Sequence, residues 1–152
     1  FNLTKNLQAA VQRIGRMASA NEFTIELICD HDQEVFVDAD EFKIYQVVYN
    51  LINNALNYSG DSRHVIVRQE CIGDTVKVSV QDFGPGIAKE NLPLVWERYY
   101  KVDKEHRRSF NGSGLGLAIV RKILELHNAQ YGVDSTLGQG STFWFCLKVS
   151  DE

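Results

Sequence analysis

The chain has 152 residues, of which 44% are hydrophobic and 24% charged, and its formal net charge is −4. This length predicts one domain, and the composition is that of an ordinary globular protein. A negative net charge argues against general nucleic-acid binding. No apolar run approaches the roughly 20 residues that a membrane-spanning helix needs. We therefore expect neither a nucleic acid nor a membrane as a direct partner of this chain.

Hydrophobic periodicity predicts three helices and six strand-like segments. The first helix would begin at Asn2 or Thr4, and the second would begin after Asp38 or Asp40, because these side chains can cap a helix. Two hairpins are predicted, one across the charged turn at residues 30–33 and one around residues 73–74. The helices are predicted near residues 4–20, 41–58 and 115–127, and the strands near 23–29, 34–37, 64–71, 75–81, 130–135 and 141–149.

The order of these elements predicts the fold class. We expect an α+β two-layer sandwich, in which three helices cover one face of a mixed, mostly antiparallel sheet of about five strands. One domain would span residues 1–152. Residues 82–114 contain only a short helical piece near 89–97, and a connection of that length inside a compact domain is usually a functional loop.

The second predicted helix carries an unusual row of asparagines. Asparagine is a mediocre helix former because its amide competes with the backbone for hydrogen bonds. Four asparagines within eight residues therefore contradict local propensity, and such contradictions often mark functional sites. The apolar face of this helix contains Ile44, Val47, Val48, Leu51, Ile52 and Ala55, and the opposite face Lys43, Gln46, Asn50, Asn53, Asn54 and Asn57.

A row of side-chain amides suits a nucleotide triphosphate with magnesium. A carboxamide offers a neutral oxygen to a hard cation and N–H donors to anionic oxygens. A carboxylate would also bind the cation, but it would repel a polyphosphate. The alternative is a polar helix face that merely avoids charge, and from this stretch alone the two interpretations have about equal support.

A carboxylate on an apolar face is the next candidate. Strand alternation places Asp82 on the same face as Val76, Val78 and Val80,. Buried there, it needs hydrogen-bond donors, and an adenine amino group would serve. The glycines of residues 83–87 would let the backbone approach a flat ligand. The alternative, that Asp82 only caps a tight turn, is favoured when this motif is taken alone.

Two further segments suit phosphate. Residues 111–117 place glycines before a helix start, where backbone N–H groups bind anions, although a glycine-rich hinge is an equally good interpretation. Residues 101–108 hold four Lys or Arg against two acids, which suits either a lid over phosphate or a solvated loop,. The chain contains neither a dinucleotide fingerprint nor a Gly-Lys-Ser/Thr phosphate loop.

Together these stretches resemble the ATP-binding catalytic domain of two-component sensor histidine kinases, a branch of the Bergerat-fold ATPases. Five motifs occur in the order that the family has, over roughly two-thirds of the chain, which is a highly specific signal. The resemblance implies ATP and Mg²⁺ as cofactors. Residues 46–58 resemble the asparagine box, 82–87 the first glycine box, 96–101 the aromatic box, 111–120 the second glycine box and 138–143 the closing glycine-threonine motif.

The resemblance also implies roles for single residues. Asn54 would hold magnesium, Asn50 would support the phosphates or the metal, and Arg108 would approach the γ-phosphate; these three are the predicted catalytic residues. Asp82 would bind the adenine amine, and Ser141 or Thr142 would help to hold the adenine end. The predicted nucleotide-binding residues are Asn54, Asn57, Tyr58, Asp82, Gly84, Gly86, Ile87, Tyr99, Lys101, Gly112, Ser113, Gly114, Leu115, Gly116, Leu117, Ser141 and Thr142.

Three positions distinguish this chain within the superfamily. Asn57 stands where the family commonly has lysine, so one phosphate-binding cation is missing. Asn111 replaces a glycine, and asparagine tolerates the same backbone conformation. Asn50 stands where the water-hydrolysing gyrase and heat-shock chaperone types have a glutamate base. An amide cannot take a proton at neutral pH, so the resemblance favours phosphoryl transfer to another nucleophile.

The phosphate-accepting histidine of these kinases lies on a separate helical-hairpin domain. None of His31, His64, His106 and His127 has such surroundings, so each is expected to be an ordinary surface or packing residue. We therefore expect a catalytic domain without its acceptor. Its partners would be its own dimerisation and histidine-phosphotransfer domain and a downstream response regulator, in the cytoplasmic portion of a membrane-bound sensor. The alternatives are a serine-directed kinase of the anti-sigma-factor type and a non-catalytic nucleotide-sensing module.

Overall fold

The computed structural model describes residues 1–30, 34–97 and 116–150. The helices there are α1 (Leu3–Ser19), α2 (Glu41–Asn57) and α3 (Gly116–Leu126), with short 3-10 helices at Gly60–Ser62 and Lys89–Leu94. The strands are β1 (Thr24–Cys29), β2 (His64–Ile72), β3 (Thr75–Asp82), β4 (Gln130–Thr136) and β5 (Gly140–Lys148).

The five strands form one sheet in the order β1-β2-β3-β5-β4. Strand β1 runs parallel to β2, and the other neighbours are antiparallel. Helix α1 packs on β1, α2 packs on β2 and β3, and α3 packs on α2 and β4. The predicted two-layer α+β sandwich with a mixed five-stranded sheet is therefore confirmed. None of the helices in the described part of the chain is long and apolar enough to cross a bilayer.

The helices begin where capping side chains predict them. The Asn2 side chain accepts a hydrogen bond from the Lys5 N–H, and the Asp40 side chain accepts one from the Lys43 N–H, each at 3.1 Å. These bonds satisfy N–H groups that have no partner within the helix. All six predicted core residues of α2, from Ile44 to Ala55, are buried.

The prediction of a strand at residues 34–37, paired with β1, is wrong. Only isolated bridges form there, from Phe36 to Asn2 and from Val37 to Val149. The segment is instead held by the start of α1, where the Leu3 N–H donates to the Val35 carbonyl at 2.8 Å. Strand β1 pairs with β2 through a crossover that contains α2, which is the usual connection between parallel strands.

Replacing the cap residue Asp40 with alanine should lower the free energy of unfolding by about 1 kcal/mol, because the first turn of α2 loses an acceptor. Asp38, an exposed neighbour, provides the matched control, and Asp38→Ala should change stability by less than about 0.5 kcal/mol. Urea denaturation of both variants measures the difference. Equal effects from the two substitutions would contradict the capping assignment.

Candidate functional site

The candidate site lies along helix α2, which presents three asparagine side chains there. Asn50, Asn54 and Asn57 are all half-buried, and they extend over about 10 Å of the helix axis. Asn53, which the sequence pattern placed on the same face, is only 7% exposed. Helical spacing still places Asn53 opposite the core residues of α2, but other parts of the fold cover its side chain,.

The N-terminus of α3 lies against the Asn50 end of this row. A Cβ atom built on Gly116 would be 3.9 Å from the Asn50 Cβ and 4.0 Å from its Oδ1. Leu117 follows, partly buried against the core. A helix N-terminus has free N–H groups and the positive end of the helix dipole. The Asn50 end of the site therefore favours an anion.

The other end of the row meets the loop at residues 83–87. A Cβ atom on Gly84 would overlap the Tyr58 carbonyl oxygen, and one on Gly86, whose φ is 78°, would overlap the Thr136 carbonyl oxygen. The sequence pattern predicts that these glycines let the backbone approach a ligand closely. The structure gives them a different reason, since their missing side chains make room for the protein's own backbone.

Asp82 is the buried acid of this site. It is 2% exposed and lies on the core face of β3 with Val76, Val78 and Val80, as predicted. Its Oδ1 accepts a hydrogen bond from the Gly84 N–H at 3.0 Å. Desolvation raises the pKa of Asp82 to about 6, although the backbone N–H groups of Gly84 and Ser141 lower it. Asp82 thus caps a turn and is also a strongly perturbed buried acid, a frequent property of functional sites.

Strand register separates Ser141 from Thr142. Ser141 lies opposite Asp82 in the ladder between β3 and β5, and Thr142 lies opposite Gln81. Successive side chains of a strand point to opposite faces. Ser141 therefore shares the face of Asp82, whereas the Thr142 side chain belongs to the other face of the sheet and is excluded as a contact on the Asp82 side.

Ser135, which the sequence pattern does not single out, connects the 83–87 loop with Ser141. Its Oγ accepts a hydrogen bond from the Ile87 N–H at 2.7 Å and lies 2.8 Å from the Ser141 Oγ. Ile87 is itself buried, with 6% exposure. In the sequence, only the position of Ser135 in the strand before the 138–140 turn marks this residue. That position does not indicate its hydrogen-bond partners.

The aromatic and histidine predictions are partly tested. Trp96 is buried, with its ring edge-on to Tyr131 at 5.1 Å and to Phe143 at 5.4 Å, so it belongs to the core. The His127 Nε2 accepts from the Asp40 N–H at 3.1 Å, which is a packing role. The candidates outside the described residues are Tyr99, Lys101, Arg108, Gly112, Ser113, Gly114 and Leu115, and their roles stay predictions.

Without a bound nucleotide, the side chains of the site supply only some of the oxygen ligands that magnesium needs. Within residues 1–30, 34–97 and 116–150, no group of three or more His, Cys, Asp or Glu side chains could hold a metal ion. Magnesium at α2 would therefore depend on amide oxygens together with phosphate and water oxygens. This is the usual arrangement in phosphate-transferring sites, where the ion keeps few protein ligands.

The Asp82→Asn variant should lack a pH-dependent part of the stability. With the folded pKa near 6 and an unfolded value near 3.9, the folded state binds more protons between about pH 4 and 6. The Asp82 contribution to stability therefore falls as pH rises through that window, by on the order of 2–3 kcal/mol. Urea denaturation at pH 4 and pH 7 should show this difference in the wild type and in Asp74→Asn, an exposed control, but not in Asp82→Asn. An unchanged difference in Asp82→Asn would contradict the assignment.

The chain matches the family model of histidine kinase-, DNA gyrase B-, and HSP90-like ATPases over residues 39–151. It is 37% identical over 144 residues to the sensor histidine kinase WalK of Bacillus subtilis, covering 91% of this chain and 23% of WalK. It is 39% identical over 130 residues to the adaptive-response sensory kinase SasA of Crocosphaera subtropica, covering 84% of this chain and 34% of SasA. The chain thus spans about a third or less of these relatives.

Solved structures show the same likeness. The catalytic domain of the histidine kinase ThkA superposes with a TM-score of 0.81 at 26% identity, covering 97% of this chain and 93% of that one. Full-length ShkA in complex with AMPPNP superposes with a TM-score of 0.83 at 25% identity, covering 99% of this chain and 30% of ShkA. The chain belongs to the family of histidine kinase-, DNA gyrase B- and HSP90-like ATPases, and within it to the ATP-binding catalytic domains of sensor histidine kinases.

Proposed function

We propose that this domain binds ATP with Mg²⁺ and presents the γ-phosphate to a histidine on a separate dimerising helical domain of the same full-length protein. The arrangement along α2 supports this most directly. A buried acid lies at the Tyr58 end, side-chain amides follow, and the N-terminus of α3 lies at the Asn50 end. The relatives that are sensor kinases and the AMPPNP complex of ShkA support the same function.

At the buried end, Asp82 would bind the adenine amino group. An ionised carboxylate is only an acceptor, so it favours a ligand edge that carries N–H donors. Guanine presents a carbonyl oxygen at the corresponding position, and two acceptors facing each other are unfavourable. Burial makes this discrimination strong, because little water is available to replace a missing hydrogen bond.

At the other end, Asn50 and Asn54 would hold the charged part of the nucleotide. Their amide oxygens suit a magnesium ion, which supplies charge neutralisation of the phosphates when it is bound. Their amide N–H groups and the N-terminus of α3 suit phosphate oxygens. The residues at 101–115 that would complete this end lie outside the described residues.

The acceptor of the phosphoryl group would come from another domain. Asn50 has an amide in place of a carboxylate base, so it cannot activate water by taking its proton. Positioning and charge neutralisation would then carry the transfer. We also propose the cytoplasmic part of a sensor as the place of this domain, and a response regulator as the next acceptor.

Phosphotransfer in the full-length protein tests the proposal. Labelled ATP and Mg²⁺ should give a phosphoprotein whose label is lost in acid and kept in base, as expected for phosphohistidine. An acid-stable label would support a serine-directed kinase instead. Tight ATP binding without any label would support a non-catalytic module, an outcome for which the missing lysine at Asn57 gives a physical reason.

The Asp82→Asn substitution should weaken ADP binding at least about tenfold while changing GDP binding by less than about threefold. An asparagine at this position replaces one acceptor by a donor, which repels the adenine amine and tolerates a carbonyl. Calorimetric titration with both nucleotides measures the two constants. Equal losses for ADP and GDP would contradict the role of Asp82 in base recognition.

The Asn54→Ala substitution should remove the magnesium-dependent part of ATP binding, with a loss of at least about tenfold in the presence of Mg²⁺. Affinity measured in EDTA should change little, because the base contacts remain. Gln46→Ala, at an exposed position of the same helix, is the matched control and should behave like the wild type. The same loss with and without Mg²⁺ would exclude Asn54 as the metal ligand.

A further inference from the structure

The hydroxyl group of Ser135 in β4 has three hydrogen-bond partners. The Ile87 N–H donates to the Ser135 Oγ at 2.7 Å, the Gly140 carbonyl oxygen lies at 3.0 Å, and the Ser141 Oγ lies at 2.8 Å. Ser135 and Ser141 face each other in the ladder between β4 and β5, and Ser141 faces Asp82 in the next ladder. Ser135 is thus two strands away from the buried acid, with Ser141 of β5 between them.

The number of hydrogens sets the direction of each bond. A serine hydroxyl has one hydrogen to donate and two lone pairs that accept. The Ile87 N–H occupies one lone pair of Ser135. The carbonyl oxygen of Gly140 is only an acceptor, so in its 3.0 Å contact with Ser135 the serine hydroxyl is the donor,. The second lone pair of Ser135 then accepts from Ser141, which makes Ser141 the donor in that pair.

Because Ser141 donates its hydrogen to Ser135, its oxygen can only accept hydrogen bonds from other groups of the site. Its only hydrogen points to Ser135, and its two lone pairs remain. Ser141 is 5% exposed and lies on the Asp82 face of the sheet. The ionised carboxylate of Asp82 is also only an acceptor. Two neighbouring side chains therefore present oxygens without a hydroxyl hydrogen to the same end of the site.

We propose that Ser135 is a positioning residue for base selectivity, which holds the Ser141 hydroxyl as an acceptor so that the site selects a base with an amino group. The inference rests on the proposed nucleotide binding and names a residue that acts through Ser141. An amino group supplies two hydrogens to the two acceptors, directly or through a water molecule. A carbonyl oxygen at that place meets acceptors only, as a guanine would.

The ratio of the GDP to the ADP dissociation constant, measured on the full chain with Mg²⁺, tests the proposal. Ser135→Ala frees the Ser141 hydroxyl to turn and donate, so the ratio should fall by about tenfold. Ser135→Thr keeps the hydroxyl and should retain the ratio within about twofold. The matched control is Ser79→Ala, which removes a buried strand hydroxyl on the other face of β3 and should leave the ratio unchanged.

A double mutant separates positioning from a general structural effect. Once Ser141→Ala has removed the hydroxyl that Ser135 orients, adding Ser135→Ala should not lower the ratio further. Ser141→Ala alone should lower the ratio about as much as Ser135→Ala, which keeps the test informative if Ser135→Ala does not fold. A full ADP preference in Ser135→Ala or in Ser141→Ala, or additive losses in the double mutant, overturns the proposal. A wild-type chain that binds neither nucleotide overturns the proposed function itself.

Discussion

The burial of the Asp82 carboxyl group is the constraint on which the site depends. A carboxylate at the end of β3, on the side that faces the helices, is unfavourable unless donors surround it. The backbone N–H groups of Gly84 and Ser141 supply part of what it needs, yet its pKa still rises to about 6. The acid therefore remains a strong acceptor, and a ligand that brings N–H groups gains more from it than from an acid in water.

The surrounding backbone fixes this acid in relation to α2. The loop after β3 reaches the end of α2 only because Gly84, two residues after Asp82, has no side chain and lies against the Tyr58 backbone at the end of the asparagine row. From there, α2 acts as a rigid spacer to the N-terminus of α3 at Gly116. The proposed sites for a base and for phosphate would thus lie at a fixed separation along α2, which suits the positioning of a nucleotide.

Local periodicity was sufficient for much of the fold. The buried face of α2, its cap at Asp40 and the inward direction of Asp82 follow from spacing within one element. Spacing within one element also predicted the two parts of the candidate site, the asparagine row of α2 and the buried acid Asp82 of β3. Such features depend on neighbours along the chain, which the sequence displays directly.

What the sequence did not show depends on contacts between distant segments. The parallel pairing of β1 with β2 was missed because a short charged turn suggested a hairpin, and nothing local reveals a crossover. The burial of Asn53, the choice of Ser141 over Thr142, and the contacts of Ser135 all require strand register or packing from other elements. Gly84 and Gly86 showed that close approach was needed, but only the structure identified the approaching group as backbone.

A crystal structure of the chain with ADP and Mg²⁺ tests the central claim most directly. We predict that the adenine amino group lies within hydrogen-bond distance of the Asp82 carboxylate, and that the phosphates lie along Asn54 towards Gly116. A nucleotide bound elsewhere, with the space between α2, the 83–87 loop and α3 filled by the protein's own side chains, would contradict the account.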